Sequence, residues 1–150
     1  MEYVACNITM YGMCGEAVEF YEKTFAIKEK VILTFGDVAE QLNFGNFVQG
    51  KEHLIYQAKL FLPCEKGKFL LMMGDSPSIL FNGGLLGSCK DNITINIGFS
   101  TKEELLNIYT KLSEGGKNNI QPRYTNEHIF EGSLIDQFGI CWILRTEEQG

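Results

Sequence analysis

The sequence predicts an α+β fold in which two βαβββ modules form a curved mixed sheet around a cleft. Strand-like and helix-like patterns follow one another in the same order twice, and shifting the sequence by 88 positions, from Glu16 to Glu104, superimposes the two helical patterns. A length of 150 residues suits one domain. We therefore predict a single domain, with half 1 at about 1–76, a linker at about 77–90 and half 2 at about 91–150.

The first half begins with a strand and an amphipathic helix. Residues 3–11 are rich in β-branched and aromatic side chains, which favours a strand, and the glycines of residues 12–15 end it. Residues 16–25 carry apolar side chains at three- and four-residue spacing, as a helix lying on a sheet does. The remaining predicted elements are a strand at 28–35, a loop at 36–51, and a hairpin with strands 53–62 and 69–74 joined by 63–68.

The second half repeats this order. Thr101 and Glu104 have the spacing of a helix-capping pair and Gly115-Gly116 follows, so a helix is predicted at 101–114. The predicted strands lie at 92–99, 120–124, 129–135 and 140–145. The 88-residue shift aligns Tyr21 with Tyr109 and Lys23 with Lys111, and it places the preceding strands in register. Two such halves could enclose a small-molecule cleft between them.

Composition excludes several classes of protein. The net charge is −6 and the basic residues are scattered, which argues against a nucleic-acid partner. The longest apolar runs are too short to span a bilayer and no secretory leader pattern is present, so we predict a cytoplasmic protein with no membrane contact. The five cysteines are odd in number and widely spaced, which predicts reduced and mostly buried thiols: Cys6, Cys14, Cys64, Cys89 and Cys141.

Three segments resemble the PhnB-like branch of the vicinal-oxygen-chelate superfamily, the group of glyoxalase I, extradiol dioxygenases, fosfomycin-resistance transferases and bleomycin-binding proteins. Residues 8–25 resemble its opening strand and helix, residues 71–76 its apolar strand ending in polar residues, and residues 136–143 its closing Asp-x-Phe-Gly-x-x-Trp motif. The resemblance implies paired βαβββ modules, a small-molecule ligand and a homodimer.

The resemblance also implies a divalent metal held by four side chains, commonly His, Gln or Glu. The corresponding positions here are Cys6 or Asn7, Met72 or Met73, Thr94, and Ile143. Such ions prefer carboxylate oxygen or imidazole nitrogen, which neither methionine nor isoleucine supplies. We therefore predict neither a metal site nor another cofactor.

The predicted ligand-binding residues are polar or aromatic: Tyr56, Gln57, Thr94, Tyr124 and Trp142. Gln57 stands where the resemblance implies a histidine, so it can hydrogen-bond a ligand but cannot transfer a proton near neutral pH. His53 and His128 are predicted to be surface residues, and core packing is favoured over ligand contact for Trp142.

The first functional hypothesis is a PhnB-like protein that binds, or acts on, a small molecule of unknown identity without a metal. A metal-dependent lyase, transferase or dioxygenase is the second hypothesis. The third is a drug-sequestering protein without turnover, for which the acidic composition would suit a cationic drug. No catalytic residue is predicted.

Overall fold

Each half of the chain forms its own mixed four-stranded sheet. The computed structural model describes residues 5–80 and 94–147, and the chain divides into two compact units, Met1–Gly87 and Ser88–Gly150. Both units contain one long helix and four strands in the order strand, helix, three strands. The predicted α+β class and the two βαβββ modules are confirmed.

The first unit has the strand order β1-β4-β3-β2. β1 and β4 are parallel, whereas β4–β3 and β3–β2 are antiparallel. The β3–β4 turn is tighter than predicted, because Cys64 pairs directly with Gly67 and only two residues lie between them. The elements are β1 (Cys6–Met10), α1 (Cys14–Thr24), β2 (Glu29–Thr34), α2 (Phe35–Val38), β3 (Ile55–Cys64) and β4 (Gly67–Asp75).

The second unit repeats this topology with the order β5-β8-β7-β6. β5 and β8 are parallel and the other two pairs are antiparallel. None of the helices within residues 5–80 and 94–147 has the length and apolar content that crossing a membrane requires. The elements are β5 (Thr94–Phe99), α3 (Lys102–Leu112), β6 (Lys117–Tyr124), β7 (Ile129–Ile135) and β8 (Cys141–Glu147).

The core of the first unit lies between α1 and one face of its sheet. α1 buries residues three or four positions apart, which places them on one side of the helix, against β3 and β4. The sheet contributes every second residue of its strands, as strand geometry requires. The buried residues on the two sides are Cys14, Ala17, Val18, Tyr21 and Thr24 from the helix, and Ile8, Met10, Ala58, Leu60, Leu62, Leu71 and Met73 from the sheet.

The predicted loop at 36–51 is more ordered than expected. It starts with the single turn of α2, where the Thr34 hydroxyl accepts a hydrogen bond from Asp37 N–H and the Asp37 carboxylate accepts one from Thr34 N–H. A 3₁₀ turn follows at Gly45–Val48. The segment packs around a second cluster, formed by buried Phe35, Val48 and Leu80 with Ala39, Phe44, Leu54, Tyr56 and Ile79 around them.

Part of the predicted linker belongs to this cluster. Pro77–Leu80 forms a 3₁₀ turn, Leu80 is buried, and Lys51 Nζ donates a hydrogen bond to the Ile79 carbonyl at 2.8 Å. The rest of that linker, residues 81–90 with Cys89, lies outside the described residues.

The internal repeat holds for the helices but not for the strands. Cys14–Thr24 and Lys102–Leu112 are related by the predicted 88 positions at both ends. Ile8 and Met10 are buried, but the residues 88 positions later, Asn96 and Gly98, are exposed. The predicted strand register is therefore wrong by one residue, because the connection from strand to helix is one residue shorter in the second half.

Candidate functional site

The face of the first sheet opposite α1 carries the candidate site, and we call it the open face. Its residues alternate with the buried residues along each strand, so their side chains leave the sheet on the other side. Two of its apolar residues on edge strand β2 are well exposed, Val31 at 51% and Leu33 at 38%. The open face consists of Asn7, Thr9, Glu29, Val31, Leu33, Gln57, Lys59, Phe61, Lys68, Leu70, Met72 and Gly74.

Lys59 lies at the centre of the open face. It is on β3, one of the two inner strands, directly opposite Val31 on β2 and Met72 on β4. Met72 is in turn opposite Asn7 on β1. One row across the sheet therefore reads valine, lysine, methionine, asparagine, with the lysine half-buried.

Gln57 lies in the next row, where β3 is irregular. Leu33 pairs with Gln57 but Thr34 pairs with Ile55, so the extra residue Tyr56 makes a bulge. A Cβ on Gly74 would come within 2.4 Å of the Tyr56 carbonyl oxygen. The bulge can approach β4 this closely only because residue 74 is a glycine.

Tyr56, the neighbour of Gln57, packs into the cluster around α2. Its ring meets Phe35 edge to face with 5.7 Å between centroids. Tyr56 therefore supports the end of the open face by packing against Phe35, whereas Gln57 belongs to the face itself.

The three candidates in the second unit do not share one face of their sheet. Thr94 is exposed on β5, on the face opposite α3. Tyr124, 46% exposed, lies on the helix side, where its ring is 5.2 Å from Phe130 and 4.3 Å from Lys102 Nζ. Trp142 is also on the helix side.

Trp142 is a core residue with 1% exposure. Its indole N–H donates to Asp136 Oδ2 at 2.8 Å, while Asp136 Oδ1 accepts from the N–H groups of Phe138 and Ile140. The Asp-x-Phe-Gly-x-x-Trp motif thus joins the β7–β8 turn to the core. In this unit the motif has a structural role.

The first unit also buries a carboxylate, that of Asp75 at the end of β4, with 3% exposure. Oδ1 accepts hydrogen bonds from Gly12 N–H and Cys14 N–H at 2.7 and 3.1 Å, and Oδ2 accepts one from Ile55 N–H at 3.1 Å. Burial, reinforced by the charge of Asp75, raises the pKa of the Cys14 thiol to about 12. This thiol is therefore inert at neutral pH.

The positions at which the resemblance implies metal ligands do not offer a suitable donor set. Asn7 and Met72 are neighbours and supply an amide and a thioether. In the second unit Thr94 and Ile143 supply a hydroxyl and a hydrocarbon. Hard and borderline divalent ions need carboxylates or imidazoles, so these residues do not fit one. In the described part of the chain, no three His, Cys, Asp or Glu side chains are grouped so that they could hold an ion.

Lys59 is the residue that sequence reasoning missed. The signal was present in strand alternation, because Ala58, Leu60 and Leu62 are apolar at every second position and Lys59 stands between them. Both histidines, by contrast, are exposed as predicted.

No family model matches the sequence, and none of the curated proteins matches it. Solved structures do match over nearly the whole chain. Protein PA1353 from Pseudomonas aeruginosa is 23% identical with a TM-score of 0.75, and the match covers 99% of this chain and 100% of that one. A Bacillus cereus PhnB protein, also named as a 3-demethylubiquinone-9 3-methyltransferase, is 19% identical with a TM-score of 0.68 over 97% and 99%.

The fosfomycin resistance protein FosX from Mesorhizobium loti is 9% identical with a TM-score of 0.57, over 99% of this chain and 94% of its own. At these identities the likeness concerns the fold. The chain has the two-module fold of the glyoxalase/bleomycin resistance/dioxygenase proteins. The fold that the resemblance implied is therefore confirmed, and a protein named PhnB is among the structures that share it.

Proposed function

We propose that this protein binds a small organic molecule on the open face of its first sheet. The observation that carries the proposal is the composition of that face: two exposed apolar side chains, Val31 and Leu33, lie directly beside two polar ones, Lys59 and Gln57. Small-molecule sites typically combine an apolar surface with a few polar groups that orient the ligand. Gln57 is the sequence-predicted residue that this proposal uses, and Tyr56 supports its position by packing against Phe35.

Binding is favoured over acid–base catalysis by the chemistry of the same face. Among its residues, all within the described part of the chain, none has an imidazole or thiol, and the single carboxylate, Glu29, is ion-paired with Lys68. General acid–base catalysis near neutral pH needs a group that exchanges a proton there. The open face is therefore suited to holding a ligand without transferring a proton to it.

Two kinds of name among the matching structures bear on the ligand: resistance protein and methyltransferase. Several neighbours are named as bleomycin or fosfomycin resistance proteins, which is compatible with sequestration of a drug-like molecule. We carry over nothing from the methyltransferase name of the Bacillus cereus protein, because the sequence shows no recognisable S-adenosylmethionine-binding loop.

We also propose that the protein is a cytoplasmic homodimer. Ile120, 53% exposed on the edge strand β6, supplies apolar surface that a second chain could cover. Light scattering coupled to gel filtration tests this: a mass of one chain at micromolar concentration contradicts the dimer.

Binding to the open face is tested with a library of fluorinated fragments observed by ¹⁹F NMR. For fragments that bind, Leu33→Glu should weaken affinity at least about tenfold, because it places a charge in the apolar part of the site. Leu106→Glu is the matched control, since Leu106 is 43% exposed on α3 and belongs to the second unit. Equal affinities in the parent and both variants, or no saturable fragment at all, would overturn the proposal.

A further inference from the structure

Lys59 is a positive charge without a partner in the middle of the open face. It makes no hydrogen bond or ion pair with any residue in 5–80 or 94–147. Its side chain is nevertheless half-buried, so part of it packs against its neighbours on the sheet. A lysine stem can lie along an apolar surface with its charged end in solvent, which leaves that end available to a ligand.

The immediate surroundings of Lys59 are mostly apolar. Across the sheet it faces Val31 and Met72, and along β3 its neighbours on the same face are Gln57 and Phe61. Three of these four side chains cannot hydrogen-bond an ammonium group strongly. Coulomb interactions strengthen where apolar groups displace water, so an anion arriving here gains more than it would on a polar surface.

The carboxylate that could have neutralised Lys59 is engaged elsewhere. Glu29 pairs with Phe61 across β2–β3, which places it diagonally from Lys59, about 7–8 Å away by the usual geometry of such pairs. Its carboxylate forms an ion pair with Lys68 on β4. The positive charge at the centre of the face is therefore left for a ligand.

We propose that the molecule bound on the open face is an organic anion, such as a carboxylate or sulfonate, with an apolar body. This inference rests on the proposed function and specifies its ligand. Lys59 Nζ donates to the anionic group, the Gln57 side-chain amide donates a second hydrogen bond, and the apolar body lies over Val31, Leu33 and Met72. Gln57 and Lys59 are two positions apart on β3, so both side chains project from the same face.

The overall net charge of −6 would suggest a cationic ligand instead. Scattered surface charges are screened over about 8 Å at physiological ionic strength, so a charge in direct contact with the ligand outweighs them. Within residues 5–80 and 94–147, the open face has one unpaired cation at its centre and no unpaired carboxylate beside it. The local charge thus selects an anion despite the acidic composition.

The test compares three probes with one carbon skeleton: 4-phenylbutyrate, 4-phenylbutanamide and 4-phenylbutylamine. Affinities are measured by ligand-observed NMR on the full chain, and on the Lys59→Met and Lys66→Met variants. Lys59→Met removes the charge but keeps the stem length. Lys66→Met makes the same change in net charge at the exposed β3–β4 turn, outside the open face.

The carboxylate should bind at least about tenfold more tightly than the amide or the amine, as expected for a charge-assisted hydrogen bond. This preference should disappear in Lys59→Met and persist in Lys66→Met. Equal binding of the three probes, tighter binding of the amine, or a preference that survives Lys59→Met overturns the anion inference. If none of the probes binds while library fragments remain sensitive to Leu33→Glu, the anion inference fails alone; if no fragment depends on Leu33, the proposed function fails with it.

Discussion

In the described part of the chain each unit buries one aspartate, and the two carboxylates accept hydrogen bonds over very different distances along the sequence. Asp75 accepts hydrogen bonds from residues 20 to 63 positions away, in the β1–α1 connection, α1 and β3. The hydrogen bonds that the Asp136 carboxylate accepts from Phe138, Ile140 and Trp142 span two to six positions. The first carboxylate therefore joins distant parts of its unit, whereas the hydrogen bonds described for the second join the β7–β8 turn to the nearby core residue Trp142.

The two long helices begin in ways that match this difference. Met13 and Thr101 occupy the same position before their helices, 88 residues apart. Thr101 caps α3 by accepting from Glu104 N–H, whereas Met13 has no capping side chain and the first N–H of α1 donates to Asp75. A helix end can thus be satisfied from the neighbouring sequence or from a distant strand, and only the first is visible in a local motif.

The largest expected effect comes from Asp75→Asn. The amide has one acceptor where the carboxylate had two, and it turns an NH2 group toward a backbone donor, so we expect the free energy of unfolding to fall by about 3 kcal/mol. Urea denaturation measures this change. Amide hydrogen exchange should accelerate in α1 and β3 together, whereas Asp136→Asn should accelerate it only near residues 136–142. If amide exchange in Asp75→Asn accelerated only near residue 75, Asp75 would not have the long-range role that distinguishes it from Asp136.

Trp142→Phe is expected to have the next largest effect. It removes the indole N–H that donates to Asp136 and leaves a space in the core, at a cost of about 2 kcal/mol. Unfolding must be followed by far-UV circular dichroism, because Trp142 is the single tryptophan of the sequence. The double variant Trp142→Phe/Asp136→Asn should lose less unfolding free energy than the two single variants lose together, because both remove the same hydrogen bond. A loss equal to that sum would mean that this hydrogen bond contributes nothing to stability.

Thr101→Ala sharpens the comparison of the helix ends. Loss of the capping hydroxyl should lower the free energy of unfolding by about 1 kcal/mol. Met13→Ala is the matched control, and it should change stability by less than about 0.5 kcal/mol because Met13 is 45% exposed and caps nothing with its side chain. Equal losses at the two positions, measured in urea, would remove the distinction between them.

The smallest expected effect belongs to Tyr109→Phe. The Tyr109 hydroxyl donates to the Ile120 carbonyl at 3.1 Å, and burial raises the pKa of this phenol above its ordinary value of 10. A raised pKa in the folded state stabilises the protein below pH 10, and this contribution is lost as the pH rises through the folded pKa. The variant should be less stable by about 0.5 kcal/mol at pH 7. Its deficit should shrink above pH 10, and a deficit that is constant from pH 7 to 11 would contradict this.

Features encoded locally were the ones the sequence predicted well. β7 has the predicted bounds, the Thr101 cap was recognised from its motif, and both amphipathic helices follow from residue spacing. The order within 36–51 was missed because it depends on Phe35 and Val48 meeting Leu80, which is more than thirty positions further on. Pattern within a segment does not reveal such a contact.

The candidate site was predictable only in part. Gln57 was identified from the resemblance and does lie on the open face, while Trp142 was recognised as a residue favoured for the core. The importance of Lys59 comes from the ion pair between Glu29 and Lys68, which removes the nearest carboxylate. Which charges neutralise each other depends on strand pairing, so it became visible only once β2, β3 and β4 were placed side by side.

The distant cap of α1 also affects the order in which the chain acquires structure. α3 carries its cap within its own sequence, so it can form as soon as residues 101–112 are available. The cap of α1 exists only after β4 has paired with β1 and closed a loop of some sixty residues, which costs chain entropy before any bond is gained. The second unit should therefore gain protected helical amides earlier during refolding than the first.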